Sequence, residues 1–124
     1  MLSEKLFDTS AVVDLVLHKD YKVVPGAISI ITIIEWPPAL NYAHRILYPT
    51  KSDYAKAVEL QVRLRRKGKP LPAADLIIAA MAINNDMVLV ALDEHFQTIR
   101  EVEPKLRLAT SDDTSAGDKR MAWR

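Results

Sequence analysis

Short apolar runs that end in an acid recur along this chain. Lys5-Leu6-Phe7-Asp8 predicts a buried strand closing on a carboxylate, and Met87–Leu92 predicts another that closes on Asp93. Between them, Ala27–Ile31 is apolar and β-branched after the Pro25-Gly26 turn signal, and it also predicts a strand. Lys105–Ala109 predicts a final one. Helical patterns alternate with these runs. Ser10 offers an N-cap for a helix to about Lys19, with Val12, Val13, Leu15, Val16 and Leu17 apolar. Thr32-Ile33-Ile34-Glu35 has capping-box spacing and predicts a helix start. Pro37-Pro38 lack backbone donors, so a kink or restart is expected near Trp36, with helix resuming to about Leu47 before Pro49 stops it.

Ser52 predicts the cap of a longer helix from Asp53 to about Lys67, closed by Gly68. Pro72 suits the first turn of the next helix, which runs to about Asn84 and is apolar nearly all round, so it should be buried on several sides. Asn85-Asp86 is a turn, and a short helix is expected around Glu94–Ile99. Strands that read as continuous apolar runs and alternate with helices predict an α/β fold. It should be a small doubly wound parallel sheet of four to five strands, with helices on both faces. Residues 1–110 form the expected domain, and the polar stretch 111–124 reads as a tail.

Composition narrows the chemistry. With 124 residues and 49% hydrophobic content the chain suits one packed domain. It has no cysteine, which excludes disulfides and thiolate metal sites. No signal-peptide pattern opens it and no apolar run is long enough to span a bilayer, so a cytoplasmic protein without a membrane association is expected. Three glycines leave no phosphate-cradling loop, and His18, His44 and His95 lack the spacing of a zinc site. The formal net charge is only +1, but it is unevenly spread. Arg45 to Lys69 carries eight basic residues against Asp53 and Glu59. Such a segment marks either a phosphate-contacting face or a solvated helix surface.

Four acids stand out by their company and position. Asp8 follows Leu6-Phe7, Glu35 sits between Ile34 and Trp36, and Asp75 lies between Ala73-Ala74 and Leu76-Ile77-Ile78. An ionised carboxylate in apolar surroundings costs several kcal/mol unless it is partnered. Asp8 and Asp93 fall at the carboxyl ends of predicted strands, the edge where open parallel sheets bind ligands. Glu35 and Asp75 fall in predicted first helical turns near that edge. Each alone has a structural explanation: a cap, a capping-box return, a dipole partner or a turn residue. Together they predict one acidic pocket, whose mutual repulsion a hard divalent cation, Mg²⁺ or Mn²⁺, would relieve.

The motifs taken in order resemble a known family. Phe7-Asp8-Thr9-Ser10, Ser29-x-x-Thr32-x-x-Glu35, the run from Gly68 to Ala80 that carries Pro72-Ala73-Ala74-Asp75, and Leu92-Asp93-Glu94-His95-Phe96 resemble the PIN-domain family, in particular its VapC-type toxin ribonucleases. The resemblance spans about residues 5 to 109. It implies Mg²⁺- or Mn²⁺-dependent RNA cleavage with Asp8, Glu35, Asp75 and Asp93 as catalytic and metal-binding acids. Thr9 or Ser10 is implied as an auxiliary hydroxyl, and a homodimer and a VapB-type antitoxin as partners. Arg63, Arg65, Arg66, Lys67 and Lys69 are then candidates for RNA phosphate contacts, and His95 for lining the pocket. Ala91 stands where the family often has a threonine. Rival readings are an RNA-processing nuclease that is not a toxin, a non-catalytic interaction module and a phosphorylatable receiver-type domain. The receiver reading fails on two counts: a single acid follows the first strand, and the last strand ends in Leu108-Ala109-Thr110 rather than lysine.

Overall fold

The computed structural model describes residues 4–110. The expected tail at 111–124 lies outside the described residues. Five strands form one sheet: β1 (Lys5–Phe7), β2 (Ala27–Ser29), β3 (Ile46–Leu47), β4 (Val88–Val90) and β5 (Arg107–Ala109). All neighbouring pairs are parallel, and the order is β3-β2-β1-β4-β5. Five α-helices connect them: α1 (Thr9–Leu17), α2 (Ile30–Glu35), α3 (Lys51–Arg66), α4 (Ala73–Asn84) and α5 (His95–Val102).

Successive strand residues face opposite sides of the sheet, and the two sides carry separate cores. Leu6, Ala27 and Leu89 lie in register and pack against buried side chains of α3, α4 and α5, including Leu60, Leu64, Met81 and Ile99. Phe7, Ile28 and Val90 point the other way, onto Ala11, Val12 and Leu15 of α1. Helices therefore cover both faces, as the continuous apolar strands predict. Helix α3 shows the periodicity most plainly. Asp53, Ala57, Leu60 and Leu64 are its buried stripe.

Several boundaries differ from the sequence expectation, each for a local reason. Asp8, not Ser10, caps α1; its side chain accepts from the Ala11 amide. Strand β2 stops at Ser29, because the Ser29 hydroxyl caps α2 by accepting from the Ile31 amide. Thr32 is consequently a buried residue within α2 rather than its cap, and Glu35 is the last helical residue rather than part of a first turn. After Trp36 the prolines seed a 3-10 helix, Pro37–Tyr42, and no longer helix follows. Ile46–Leu47 instead pairs with β2 as an edge strand. Helix α3 is capped by Thr50, not Ser52, in a reciprocal capping box with Asp53. Asp53 is buried at that cap and also accepts from the Asn84 side chain at 2.8 Å.

One glycine is fixed by close approach. A Cβ at Gly26 would lie 2.7 Å from the Lys5 carbonyl oxygen and 2.8 Å from Cε1 of Phe7. Only a residue without a side chain lets the turn into β2 press against β1.

Candidate metal centre

The strand order reverses direction between β1 and β4. From β1 the chain steps outward through β2 to β3, and from β4 it steps the other way to β5. At such a switch point the connections leave to opposite sides, opening a crevice at the carboxyl edge. Asp8 follows β1 directly, and Asp93 lies three residues beyond the end of β4. The two strands are locked side by side here, with the Asp8 amide donating to the Val90 carbonyl at 3.0 Å.

Asp8 is 4% exposed. Its carboxylate accepts from the Ala11 amide at 2.9 Å, and the Ser10 hydroxyl lies 2.9 Å from both of its oxygens. The Ser10 oxygen also accepts from the Leu92 amide at 3.3 Å, so one hydroxyl ties the start of α1 to the exit of β4. Burial pushes the Asp8 carboxyl from the ordinary 3.8 up to about 6 against these hydrogen bonds, and the charges of Asp75 and Asp93 push it the same way.

Asp75 sits in the first turn of α4, where the helix dipole favours an anion. Burial raises its pKa; the hydrogen bond from His95 opposes that, and the charges of Asp93 and Glu35 add to it. Oδ2 of Asp75 lies 2.6 Å from Nδ1 of His95. Nδ1 of His95 is also 3.4 Å from Oδ1 of Asp93, which accepts from the His95 amide at 2.9 Å. The His95 pKa is raised, chiefly by the Asp75 hydrogen bond. Ligand atoms of Asp75, Asp93 and His95 all fall within 4.8 Å of one another. That spacing lets one ion reach all three at ordinary metal–ligand distances of about 2.0–2.4 Å.

Glu35 lies near enough for its charge to act on Asp75. Its Oε1 lies 2.5 Å from the Thr9 hydroxyl, which is in turn 3.1 Å from the Thr32 hydroxyl. Of the two auxiliary hydroxyls expected after Asp8, Thr9 thus holds Glu35 and Ser10 holds Asp8. Thr32 is the residue that sequence reasoning missed. Its signal was the spacing Ser29-x-x-Thr32-x-x-Glu35, which places all three on one side of a helix. Since Asp8 feels Asp75 and Asp93, and Asp75 feels Asp93 and Glu35, the four acids share one electrostatic field.

Three residues of the basic segment are engaged within the fold. Arg63 donates to the Val102 carbonyl at 3.0 Å and pairs with Glu59, and Lys69 pairs with Glu101 at 3.3 Å. Lys56 pairs with the buried Glu103 at 2.6 Å. These contacts brace α3 against α5. Arg65, Arg66 and Lys67 are exposed at the end of α3. Beside Asp93 opens a cavity of about 420 Å³, lined by Leu92, Phe96, Gln97, Arg100 and Leu108 among others.

An open parallel sheet with acids gathered at its switch point defines a class of α/β domain whose strand ends could hold a cation. The family model described as the PIN domain matches residues 38–102, which include Asp75 and Asp93 but not Asp8 or Glu35. The chain belongs to the PIN-domain family. Among solved structures it is similar to DNA-bound VapBC from Salmonella typhimurium, with a TM-score of 0.69 and 19% identity over 89% of this chain and 99% of that one. It is also similar to VapBC-1 from nontypeable Haemophilus influenzae, with a TM-score of 0.67 and 18% identity over 87% and 98%. A third is VapBC2 from Rickettsia felis bound to a promoter DNA fragment, with a TM-score of 0.65 and 20% identity over 86% and 97%. These likenesses bear out the doubly wound parallel fold. No curated protein matches the chain by sequence. Among the described residues, no helix is long and apolar enough to cross a membrane.

Proposed function

We propose that this protein is a divalent-metal-dependent ribonuclease that hydrolyses RNA phosphodiester bonds, and that it acts as the toxin of a toxin–antitoxin pair. The observation that carries the reading is the convergence of Asp8, Asp75 and Asp93 at the β1–β4 switch point, with Glu35 held towards them by Thr9. Asp8 and Asp75, whose pKa values are driven up by burial and by neighbouring acids, fit a cation that would offset that repulsion. Asp8, Asp75 and Asp93 are the proposed holders of Mg²⁺ or Mn²⁺, with Glu35 either beside them or on the attacking water. When bound, such an ion lowers the pKa of a water and offsets charge on the transferring phosphoryl group.

The chain's own residues supply the rest. Ser10 and the Ala11 amide fix the Asp8 carboxylate in one orientation. The Thr9 hydroxyl orients Glu35, whose other oxygen is the proposed acceptor of a proton from an attacking water. The cavity lined by Asp93 and Arg100 is a proposed place for part of an RNA strand. Arg63, Arg65, Arg66, Lys67 and Lys69 are the proposed backbone phosphate contacts, which position RNA without reading its sequence. The toxin role, a VapB-type antitoxin partner and a homodimer rest on the likeness to VapBC complexes.

The test incubates purified protein with varied RNAs and Mg²⁺ or Mn²⁺, with EDTA and Asp8→Asn as controls. Metal-dependent cleavage lost in both controls supports the reading. No cleavage of any RNA, or cleavage that survives both controls, overturns it. Growth arrest on induction, relieved by a small gene encoded immediately upstream, would establish the toxin role; growth without arrest would leave a nuclease of another purpose.

A further inference from the structure

The acidic pocket contains one ligand atom that is not oxygen. His95 opens α5 two residues after Asp93, and its amide holds Oδ1 of Asp93 at 2.9 Å. That backbone hydrogen bond makes Asp93 and His95 a rigid pair. Nδ1 then faces both carboxylates, 2.6 Å from Asp75 and 3.4 Å from Asp93. The 3.4 Å separation is about that of neighbouring ligand atoms around one ion, while the 2.6 Å contact is a hydrogen bond whose proton a bound ion would replace as the ring moves back by roughly a few tenths of an ångström. A histidine serving only as an ion-pair partner needs one acceptor. This one is placed against two carboxylates from different elements, the first turn of α4 and the β4–α5 connection.

We infer that His95 is itself a metal ligand through Nδ1, and that this nitrogen biases the site towards Mn²⁺ over Mg²⁺. The inference rests on the acidic pocket being a metal site, as proposed above. Mg²⁺ holds to oxygen ligands and parts reluctantly with water, whereas first-row transition ions accept imidazole readily. Replacing one oxygen of the ligand set by an imidazole nitrogen therefore lowers Mg²⁺ affinity more than Mn²⁺ affinity. His95 becomes a determinant of which ion the protein carries, in addition to lining the pocket.

Mn²⁺ is itself the probe. Untagged full-length protein is loaded with Mn²⁺ and examined by pulsed electron paramagnetic resonance, and the bound Mn²⁺ is then competed with Mg²⁺. Wild type is expected to show nitrogen hyperfine coupling to the ion. His95→Asp, which restores an oxygen ligand, should bind Mn²⁺ without that coupling. The Mg²⁺ excess needed to displace half the Mn²⁺ should fall by about tenfold or more in His95→Asp relative to wild type. Asp93→Asn should lose most binding of both ions. Mn²⁺ bound without nitrogen coupling, or an unchanged competition ratio in His95→Asp, overturns the role of His95 while leaving the metal site intact. Failure of wild type to bind either ion overturns this inference and the metal reading together. None of these readouts requires RNA cleavage, so loss of the nuclease reading alone leaves the inference standing or falling on its own data.

Discussion

The Thr9 hydroxyl lies 2.5 Å from Oε1 of Glu35, joining the first turn of α1 to the last residue of α2 across the mouth of the acidic pocket. Glu35 is exposed, and an exposed carboxylate on a short helix has many rotamers. The Thr9 contact, backed by Thr32 at 3.1 Å, selects one of them. Thr9→Val keeps the shape and removes the hydrogen bond. RNA cleavage is expected to fall about 10–100-fold. The unfolding free energy read from urea denaturation should fall by no more than about 1 kcal/mol, because the contact is partly solvent-exposed. Unchanged cleavage by Thr9→Val would show that Glu35 needs no such orientation.

Asp8 is expected to destabilise the metal-free protein at neutral pH. Its carboxyl titrates near 6 in the folded chain and near 3.8 when exposed. The unfolded state therefore ionises first, and stability falls as pH rises from about 4 to 6. Above that range the deficit is about 3 kcal/mol at most. Asn is as good an N-cap as Asp and carries no charge. In EDTA at pH 8, Asp8→Asn should melt above wild type by up to about 12 °C, and the gap should close by pH 4. Adding Mn²⁺ should raise the wild-type melting temperature and leave the variant nearly unmoved. A variant that melts below wild type at pH 8 in EDTA would contradict this account.

Not every buried acid belongs to the pocket. Glu103 is buried against Lys56 at 2.6 Å and Arg63 at 3.7 Å, joining α3 to the end of α5. The paired charges lower the Glu103 pKa and raise that of Lys56. Glu103→Ala leaves Lys56 and Arg63 still paired with Glu59, so it should cost only about 1–2 kcal/mol in chemical denaturation. Its Mn²⁺ affinity, read by isothermal titration at a temperature where it is folded, should match wild type.

Gly26→Ala tests the packing beneath the site. The added methyl would meet the Lys5 carbonyl at 2.7 Å, a backbone atom that cannot swing aside. A loss of about 1–3 kcal/mol is expected. Because β1 carries Asp8 at its end, cleavage should fall along with stability. A variant of wild-type stability would mean that the turn before β2 gives way freely.

Much of the fold was legible because local signals agreed. The apolar runs at Leu6-Phe7, Ala27-Ile28 and Val88–Val90 are β strands, and α4 is buried on several sides as its composition predicts. The misread stretches are those where two local signals competed. Ile46-Leu47 continues a helical pattern on paper, yet an open edge of β2 offers it hydrogen-bond partners. Thr32 and Glu35 have capping-box spacing, but Ser29 lies one residue before the true helix start and takes the cap first. Thr50 outcompetes Ser52 for the same reason, since Asp53 stands three residues after it and closes the box.

The sequence by itself determined the four acids, their apolar company and the strands that two of them follow. Periodicity and strand endings are properties of neighbouring residues, so they can be read along the chain. Only the tertiary structure decided that β1 and β4 lie side by side, which brings Asp8 within the field of Asp75 and Asp93 across more than sixty residues of sequence. It also decided that His95 faces two carboxylates and that Thr9 reaches Glu35. Those relationships depend on which helices pack beside one another at that edge, α4 with α5 and α1 with α2, and no local pattern encodes that packing.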